Sequence, residues 1–504
     1  MMKVLILVFC AIVLFTSGVS SQEIFPAVMR GDLDRVKALL EEHPEWINAT
    51  SWGEWTPLHR ASQFGHGDIV ELLISKGGDL DSRTGLGLTP LYAAIIGERP
   101  AIVRQLIDHG ADIRASRSDG ETLLHIAAAM GQANILEMLI SEGLEVDVTK
   151  RYGITPLHLA SVFGHKTAVE TLLARGAEID RKNDNGSTAL HLATSSREME
   201  VAALLEEKGA SDEPEGYIEI TGEYLGQKEP GSRPEPFASG ILLNMHRPHG
   251  SIAFSPDGKE IYWTAALIFG QFQKIWTTRR HDGRWSAPEA VSLPDGYTYG
   301  GPAVSPDGKR LLFDAMRSAQ ADAGGRDHDI WFREMGQGGW SDVIRPGTPL
   351  NSDRSELGPS VSLSGDLYFY SYNIEGGFGS IDIYCSKLTK DGYQKPENLG
   401  GSINTDQAET LPFIAPDESY LLFSSMRPGG YGDFDLYVSY RRNDGTWSKA
   451  RNLGDTINTP ARESVSVVSP DGKYLFFMSR RSGIGEFYWV DAGIIEDLRP
   501  DELE

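Results

Sequence analysis

Three glutamates in the second half of the chain are the first candidates for catalysis. They are Glu356, Glu409 and Glu463, and an asparagine precedes each one. Glycoside hydrolysis uses a close pair of carboxylates, so these acids could indicate a glycosidase. They recur, however, at one position of an internal repeat, and groups repeated around a ring are typical of structure rather than catalysis. We therefore interpret them as structural groups that accept hydrogen bonds from the adjacent asparagine or from loop amides.

Two further sets of charged residues follow the same repeat. One set of acids precedes an aromatic pair in successive repeats: Asp329, Asp382, Asp435 and Glu486. One set of arginines follows a buried strand: Arg317, Arg427 and Arg480. We predict that these arginines pair with the carboxylates, and only secondarily that they hold an anionic ligand at one mouth of the domain.

Eight of the twelve histidines form two groups, and neither group predicts a metal site. The first group ends a Thr-x-Leu-His motif at His59, His125, His158 and His191, with Tyr92 in the place of a fifth histidine. One histidine per repeat spreads these rings apart, which disfavours a shared metal. The second group comprises His246, His249, His281 and His328, which have no cysteine or carboxylate at metal spacing beside them and are interpreted as loop residues. We predict no metal and no cofactor.

The Thr-x-Leu-His motif recurs every 33 residues. Its copies begin at Thr56, Thr89, Thr122, Thr155 and Thr188, and glycines keep the same step at Gly77, Gly110, Gly143, Gly176 and Gly209. This pattern resembles the ankyrin repeat, a unit of about 33 residues with two antiparallel helices and a hairpin-like turn. The resemblance covers five full repeats and a degenerate leading copy at residues 22–51. It implies that the threonines and histidines form hydrogen bonds within and between repeats.

The ankyrin resemblance also predicts where a partner would bind. In such arrays the hairpin tips and the inner helix face form a concave surface, which we expect to hold a protein partner. Aromatic and arginine side chains are enriched among binding hot spots. The candidate partner-binding residues are Trp52, Trp55, Leu86, Arg117 and Tyr152. For Trp55 the alternative is that its ring packs against the next repeat.

The second half repeats a different unit of about fifty residues. A Ser-Pro-Asp-Gly turn or a variant of it precedes a strand that is apolar on both faces, as in residues 469–478. Each unit holds about four short strands, which is the content of one propeller blade. The motifs resemble the Pro-Asp family of WD-like, TolB-like β-propeller repeats. This implies a five-bladed propeller; closure through a strand at residues 217–225 and a sixth partial blade are the alternatives.

Composition limits the function classes further. The 504 residues carry a net charge of −24 without a cluster of Lys or Arg, which disfavours nucleic acid as a partner. Residues 1–21 follow the pattern of a secretory signal peptide, whose apolar run is too short to span a membrane. Beyond it, Cys385 is the single cysteine, expected to be a small buried residue.

These observations predict a multidomain α plus all-β protein. The predicted parts are a signal peptide over 1–21, an ankyrin-repeat α-solenoid over 22–210, a linker and entry segment over 211–240, and a β-propeller over 241–504. No catalytic motif is present, including the Gly-x-Ser-x-Gly turn of the hydrolases. We expect an exported, periplasmic or extracellular binding scaffold, with a peptide or glycan at one propeller mouth. The alternatives are a propeller glycosidase or lyase with the ankyrin arm as its targeting module, and a sensor.

Overall fold

The structure is a computed structural model that describes residues 23–211, 220–238, 247–266, 274–294, 296–317, 327–372, 376–483 and 485–501. The described residues form two compact units, 23–211 and 220–501. The first is helical and the second is almost entirely β-structure.

The N-terminal unit is a stack of six helix pairs. The pairs are α1 (Ile24–Arg30) with α2 (Leu33–Glu42), α3 (Pro57–Phe64) with α4 (Gly67–Ser75), α5 (Pro90–Ile96) with α6 (Pro100–Asp108), α7 (Leu123–Ala129) with α8 (Ala133–Ser141), α9 (Pro156–Val162) with α10 (Lys166–Ala174), and α11 (Ala189–Ser195) with α12 (Met199–Glu207). Each first helix packs on the first helix of the next pair, so the apolar core is continuous along the stack.

Local sequence explains where these helices begin and end. The motif threonine is the N-cap of the first helix in repeats two to six, and proline, which lacks an N–H, occupies the first helical position in three of them. After each second helix the repeated glycine takes a left-handed φ, between 86° and 91° from Gly77 to Gly209. A residue with a Cβ is strained in this conformation, and the predicted role of these glycines as helix stops is confirmed.

The second unit is a ring of five antiparallel sheets. Blade 1 holds β2 (Arg247–Phe254), β3 (Glu260–Ala266), β4 (Lys274–His281), β5 (Arg284–Trp285) and β6 (Glu289–Ala290). Blade 2 holds β7 (Tyr297–Val304), β8 (Arg310–Arg317), β9 (Asp329–Gly336) and β10 (Gly339–Trp340). Blade 3 holds β11 (Glu356–Val361), β12 (Leu367–Tyr372), β13 (Ile381–Ser386) and β16 (Glu397–Asn398), with a hairpin of β14 (Leu388–Thr389) and β15 (Gly392–Tyr393).

Blades 4 and 5 complete the ring. Blade 4 holds β17 (Glu409–Ile414), β18 (Tyr420–Ser425), β19 (Asp435–Tyr440) and β20 (Arg451–Asn452). Blade 5 holds β21 (Glu463–Val468), β22 (Tyr474–Ser479), β23 (Glu486–Asp491) and β1 (Glu235–Pro236), and a short helix α13 (Gly493–Asp497) follows. The innermost strands β2, β7, β11, β17 and β21 contact one another in sequence, and β21 contacts β2. The described residues therefore form a closed five-bladed β-propeller, as predicted.

Apolar side chains fill the spaces between neighbouring blades. One cluster joins Tyr368 and Ile383 of blade 3 to Leu421 and Phe423 of blade 4, and it includes Cys385 at 8% exposure. The strands are covered on both faces, as their continuous apolar runs predict. The sequence expectation that Cys385 is a small buried residue is confirmed.

The ring closes through residues that the sequence analysis did not select. The outer strand of blade 5 is β1, which pairs with β23 through Glu235 and Trp489. The segment 217–225 supplies no strand to blade 5 in its described part, and Thr221 instead bridges Arg284 of blade 1. The prediction that 217–225 closes the ring is therefore wrong, because β1 pairs along the edge of β23 that this segment would have used.

Aromatic packing seals this closure. The Tyr224 ring lies 5.2 Å from Tyr474 and 6.1 Å from Phe254, in blades 5 and 1, and its hydroxyl donates to Asp471 Oδ1 at 3.0 Å. Phe237 is fully buried, 4.8 Å from the ring of Phe476. Residues 220–238 are therefore part of the propeller unit.

Candidate functional site

The motif histidines hold the ankyrin stack together. His59 Nδ1 accepts the Thr56 N–H at 3.2 Å, which completes a capping box, and Nε2 then donates to the Leu88 carbonyl of the next repeat at 2.9 Å. His125 and His158 make the same pair of bonds, with Ile154 at 2.9 Å and Ser187 at 3.2 Å. These contacts confirm the structural interpretation.

Burial lowers the pKa of each of these histidines to about 4. The geometry gives a second reason, since a proton on Nδ1 would face the threonine N–H that this atom accepts. In the repeat that lacks a histidine, the Tyr92 hydroxyl donates to the Glu121 carbonyl instead. The rings are neutral near pH 7 and belong to the core.

Two of the five predicted partner-binding residues are buried. Trp55 is 4% exposed, with its ring 5.6 Å from His59 and the Arg60 guanidinium 4.2 Å above it. The burial of this ring agrees with the alternative that Trp55 packs within the array, and its role as a partner contact stays a prediction.

Arg117 is the second buried candidate. It is 4% exposed and lies 3.8 Å from Asp119 and 3.6 Å from Glu121, while Lys150 of the next repeat contacts Glu121 at 3.0 Å. The charge network that ties neighbouring tips together takes this side chain out of the free surface. This burial gives no support to Arg117 as a partner contact, which stays a prediction.

The other predicted positions lie on the tips. Leu86 and Tyr152 are partly exposed, and the Arg151 guanidinium lies 5.1 Å from the Tyr152 ring. Trp52 begins a short 3₁₀ turn over Trp52–Glu54, and its side chain lies outside the described residues. Side chains of α5 and α7 are buried throughout, which narrows the available surface of the central repeats to tips and second helices. Partner binding at Leu86, Tyr152 and Trp52 stays a prediction.

The repeated glutamates of the propeller are structural. Glu409 is fully buried; its carboxylate accepts the N–H and the hydroxyl of Thr405 at 2.8 and 2.7 Å and the Ser425 hydroxyl at 2.7 Å. Glu463 repeats these bonds with Thr459 and Ser479 at 2.6–2.8 Å. Each carboxylate therefore accepts a loop amide, as the sequence interpretation predicts, and the serine hydroxyl adds a link to the neighbouring strand.

Arginines complete these networks, with one shift in position. Arg427 lies 3.4 Å from Glu409 and donates to the Ile403 carbonyl at 2.6 Å. In blade 5 the equivalent residue is Arg481, 3.6 Å from Glu463, and not Arg480. Arg481 was not selected from the sequence, and the pairing of Arg480 with a carboxylate stays a prediction. The side chain of Arg317 lies outside the described residues.

Glu356 differs from its two equivalents. Its carboxylate accepts from the N–H and hydroxyl of Ser352, and the residue is 1% exposed. The position equivalent to Arg427 carries Asn373 in the sequence. Burial raises the pKa of Glu356 to about 7. This carboxyl can therefore gain a proton near neutral pH.

The acids before the aromatic pairs also bond loop amides. Asp382 accepts the N–H groups of Phe378 and Gly379 at 2.7 and 3.1 Å, and Asp435 does the same with Tyr431 and Gly432. The two remaining members bond side chains: Glu486 accepts from Ser482, and Asp329 binds Arg345 through both oxygens. These contacts agree with a structural role.

Two of the four propeller histidines have side chains in the described part of the structure. His281 is exposed, His246 lies outside the described residues, and so does the side chain of His249. His328, which the sequence analysis interpreted as a loop residue, lies with Nδ1 3.1 Å from Asp314 Oδ2. Among the described residues, no three His, Cys, Asp or Glu side chains come together as a metal site, and no helix is long and apolar enough to cross a membrane.

Sequence reasoning missed a polar group that joins blades 2 and 3. Asp314 Oδ1 accepts the Gly358 N–H at 3.1 Å, Asp314 Oδ2 lies 3.1 Å from His328 Nδ1, and the Tyr370 and Tyr372 rings lie 6.2 Å apart on β12. Strand register shows the signal that could have found them: the position of Asp314 and Tyr370 carries Thr264, Ser424 and Met478 in the other blades. The residue type at this position differs from blade to blade. It therefore has no structural role that every blade requires.

Comparison with known proteins identifies the N-terminal unit. Residues 24–117, 76–151, 99–183 and 124–215 match the family model described as ankyrin repeats in three copies. The chain is similar to 2-5A-dependent ribonuclease of Mus musculus, with 49% identity over 70 residues, 14% of this chain and 9% of that protein. It is similar to alpha-latrocrustotoxin-Lt1a of Latrodectus tredecimguttatus, with 38% identity over 71 residues, 14% of this chain and 5% of that protein.

A third relative is ankyrin repeat domain-containing protein 49 of Homo sapiens, with 41% identity over 58 residues, 12% of this chain and 24% of that protein. The chain spans less than a quarter of the length of each of these three relatives. The likeness therefore concerns repeats and not whole proteins. With the geometry of the Thr-His capping boxes, the match shows that the N-terminal region is an array of ankyrin repeats, followed in the same chain by a five-bladed β-propeller.

Proposed function

We propose that this protein is an exported, non-enzymatic binding scaffold. The observation that carries the proposal is the ankyrin array over residues 24–215, since such arrays bind proteins on extended surfaces. The propeller is a second platform, with a peptide or glycan as its ligand. Its blades are proposed to belong to the Pro-Asp, TolB-like type on the strength of their turn motifs.

Tyr152 is the tip residue that we favour as the partner contact. Its φ of 67° lies in the left-handed region, which costs a residue with a Cβ roughly 1–2 kcal/mol. Asparagine tolerates this conformation better, as at many turns. The strained backbone at this position lowers stability. Binding to a partner therefore explains the partly exposed aromatic ring better than a stabilising role does.

The test compares Tyr152→Asn with Glu98→Asn. Glu98 also has a left-handed φ, 57°, but lies at the exposed turn between α5 and α6. Both variants should keep or raise the melting temperature, because both relieve strain. With the full chain as bait for proteins of the same compartment, Tyr152→Asn should recover at least tenfold less of a specific partner, and Glu98→Asn should recover as much as wild type.

Equal recovery by both variants would remove Tyr152 from the partner surface. Absence of any specific partner with the wild-type bait would count against the scaffold itself. A loss of the melting transition in Tyr152→Asn would show that the ring stabilises the tip and is not a binding residue.

Export rests on the signal-peptide pattern of residues 1–21, which lie outside the described residues. Mass spectrometry of the protein from fractionated cells is expected to find a mature N-terminus at Gln22 in the periplasmic or extracellular fraction. An intact Met1 in the cytosolic fraction would overturn this part of the proposal.

A propeller glycosidase or lyase is the second candidate. The observation that favours it is Asp314, an acid on β8 that does not recur at its register position in the other blades. Incubation with acidic and neutral polysaccharides, followed by an assay of reducing ends, tests it. Product that Asp314→Asn abolishes would support the enzyme, and no product would support the scaffold.

A further inference from the structure

Exposed apolar side chains gather on two equivalent loops of the propeller. Among the described residues seven large apolar side chains are exposed, and three of them lie just after β12 or β18: Phe378 at 52%, Met426 at 40% and Tyr431 at 48%. We call these three residues the apolar rim. Strands β12 and β18 hold the same place in neighbouring blades, so the loops that follow them lie at the same end of the ring.

Backbone contacts join the two loops. The Met426 N–H donates to the Ala408 carbonyl at 3.1 Å, and Ala408 forms a β-bridge with Ile381 of blade 3. Gly379, the neighbour of Phe378, packs against residues 405–407 of the same segment. The segment 405–408 therefore contacts both loops, which belong to one contiguous part of the propeller.

The backbone beneath each aromatic ring is held in the same way. Asp382 is buried and accepts the Phe378 N–H at 2.7 Å. In the next blade the buried Asp435 accepts the Tyr431 N–H at 2.6 Å. Both rings are therefore presented from an ordered backbone, which reduces the conformational entropy that a ligand must remove on binding.

Glycines precede and follow both aromatic residues, over 377–379 and 430–432. A Cβ at Gly379 would collide with the Gln407 carbonyl oxygen, and a Cβ at Gly432 would collide with the Ala461 carbonyl oxygen. This close packing explains the glycines, but it does not explain an exposed aromatic ring between them. Since glycine has no side chain, the residues next in sequence leave both rings uncovered.

The Phe378 ring rests on the backbone of one further glycine. A Cβ at Gly401 would lie 3.2 Å from Cε1 of Phe378, closer than ordinary van der Waals contact. This contact supports one side of the ring, and the exposure of half of the residue leaves the rest of the ring to solvent. The ring is therefore both supported and accessible, as a stacking surface requires.

Carboxylates lie beside the rings. Asp406 belongs to the segment on which Gly379 packs, and Asp433 follows Tyr431 by two residues. Both acids are exposed, and neither forms an ion pair with another residue in the described ranges. They can accept hydrogen bonds from a ligand, and they repel a ligand that carries carboxylates of its own.

These features fit a sugar polymer better than a protein. The negative face of an aromatic ring attracts the slightly positive C–H groups on the apolar side of a sugar ring. A carboxylate beside the aromatic ring accepts sugar hydroxyls in charge-assisted hydrogen bonds. The apolar rim offers this combination once in each of two neighbouring blades, and equal sites at successive positions suit a ligand built of equal units.

From this geometry we propose that the apolar rim binds a neutral polysaccharide whose sugars present an apolar face of axial C–H groups, as β-linked glucose and N-acetylglucosamine do. Phe378 and Tyr431 each stack on a sugar ring, and Asp406 and Asp433 accept hydroxyls. The inference deepens the propeller part of the proposed function and rests on it.

The experiment measures binding to the purified full chain by calorimetry at pH 7. The probes are cellohexaose and N-acetylchitohexaose, with their disaccharides and with hexagalacturonate as the acidic counterpart. At least one neutral hexamer is expected to bind at least tenfold tighter than its disaccharide and than hexagalacturonate. Phe378→Ala combined with Tyr431→Ala should weaken that binding at least tenfold, whereas Phe378→Tyr should keep it within twofold because the aromatic face remains.

Leu363 provides the matched control. Its side chain is also exposed, but it lies in the turn between β11 and β12, at the opposite end of the ring. Leu363→Ala should bind the hexamer as wild type does. The melting temperature should change by less than about 2 °C in every variant, since the replaced side chains are exposed.

The proposal is overturned if neither neutral hexamer binds, if the double variant binds as tightly as wild type, or if Phe378→Tyr loses as much affinity as Phe378→Ala. Loss of a captured protein in the double variant, without any binding of glycan, would assign the apolar rim to a protein partner and would overturn the proposal as well. Tyr152→Asn should leave glycan binding unchanged, so failure of this inference and failure of the ankyrin scaffold are distinguishable.

Discussion

Acid should unfold the ankyrin unit well before its carboxylates are protonated. The cause is the set of buried histidines His59, His125 and His158, whose pKa falls from 6.5 to about 4 on folding. A histidine whose pKa is lowered on folding stabilises the folded state fully above pH 6.5. This stability is lost as the pH falls toward 4, because the unfolded chain binds the proton more tightly.

The magnitude follows from these values. At pH 5 an unfolded histidine is almost fully protonated and a folded one is not, which costs roughly 2 kcal/mol per residue relative to pH 7. Three histidines together cost about 5–6 kcal/mol, a sum that approaches the stability of a whole domain. Urea unfolding followed by circular dichroism at 222 nm reports this unit, since α1–α12 are the main described helices.

The chain supplies its own test variant. Tyr92 occupies the equivalent position in one repeat and bonds the next repeat without titrating in this range. His125→Tyr should therefore abolish about one third of the loss between pH 7 and pH 5. His109→Gln is the control, because His109 is exposed and its pKa is raised by the Gln105 carbonyl. An equal loss in wild type and His125→Tyr, or no loss in wild type, would refute the argument.

Three further predictions concern the propeller. Because the pKa of Glu356 is raised to about 7, its contribution to the stability of the folded state is fully present below about pH 4.5 and is lost as the pH rises to 7. The melting temperature should show this dependence on pH in wild type and not in Glu356→Gln. Arg427→Met leaves the buried Glu409 carboxylate without its counter-ion and should lower the free energy of unfolding in guanidinium by about 3–5 kcal/mol. A change under about 1 kcal/mol would show that the ion pair contributes little to stability. Phe237→Ala should cost about 3–5 kcal/mol because the ring is fully buried, and an unchanged melting temperature would show that the entry segment does not seal the ring.

Regular repeats made both folds predictable from the sequence. The 33-residue step fixes where each ankyrin helix begins, since threonine caps and glycine stops act locally. The turn and strand motif likewise identifies five blades, because a strand with two apolar faces needs a neighbour on each side. The networks at Glu409 and Glu463 were predictable for the same reason, since repeated residues perform repeated structural tasks.

Contacts that depend on tertiary packing were not predictable in this way. Trp55 and Arg117 have the residue types of hot spots, but their burial depends on neighbours that spacing does not reveal. Asp314 and Gly358 lie in neighbouring blades, and only the packing of these blades brings them together. The closing strand Glu235–Pro236 has two residues and a proline, so no propensity marks it as a strand.

This closing strand also has a consequence for biosynthesis. Residues 235–238 leave the ribosome before blade 1, yet their partner strand Glu486–Asp491 is the last strand of the ring to be made. The propeller cannot close until this strand has been synthesised, and blade 1 stays without its seal during that time. A propeller that begins at residue 241 would lack the closing strand. We expect a propeller that begins at residue 220 to be soluble and the shorter one to aggregate.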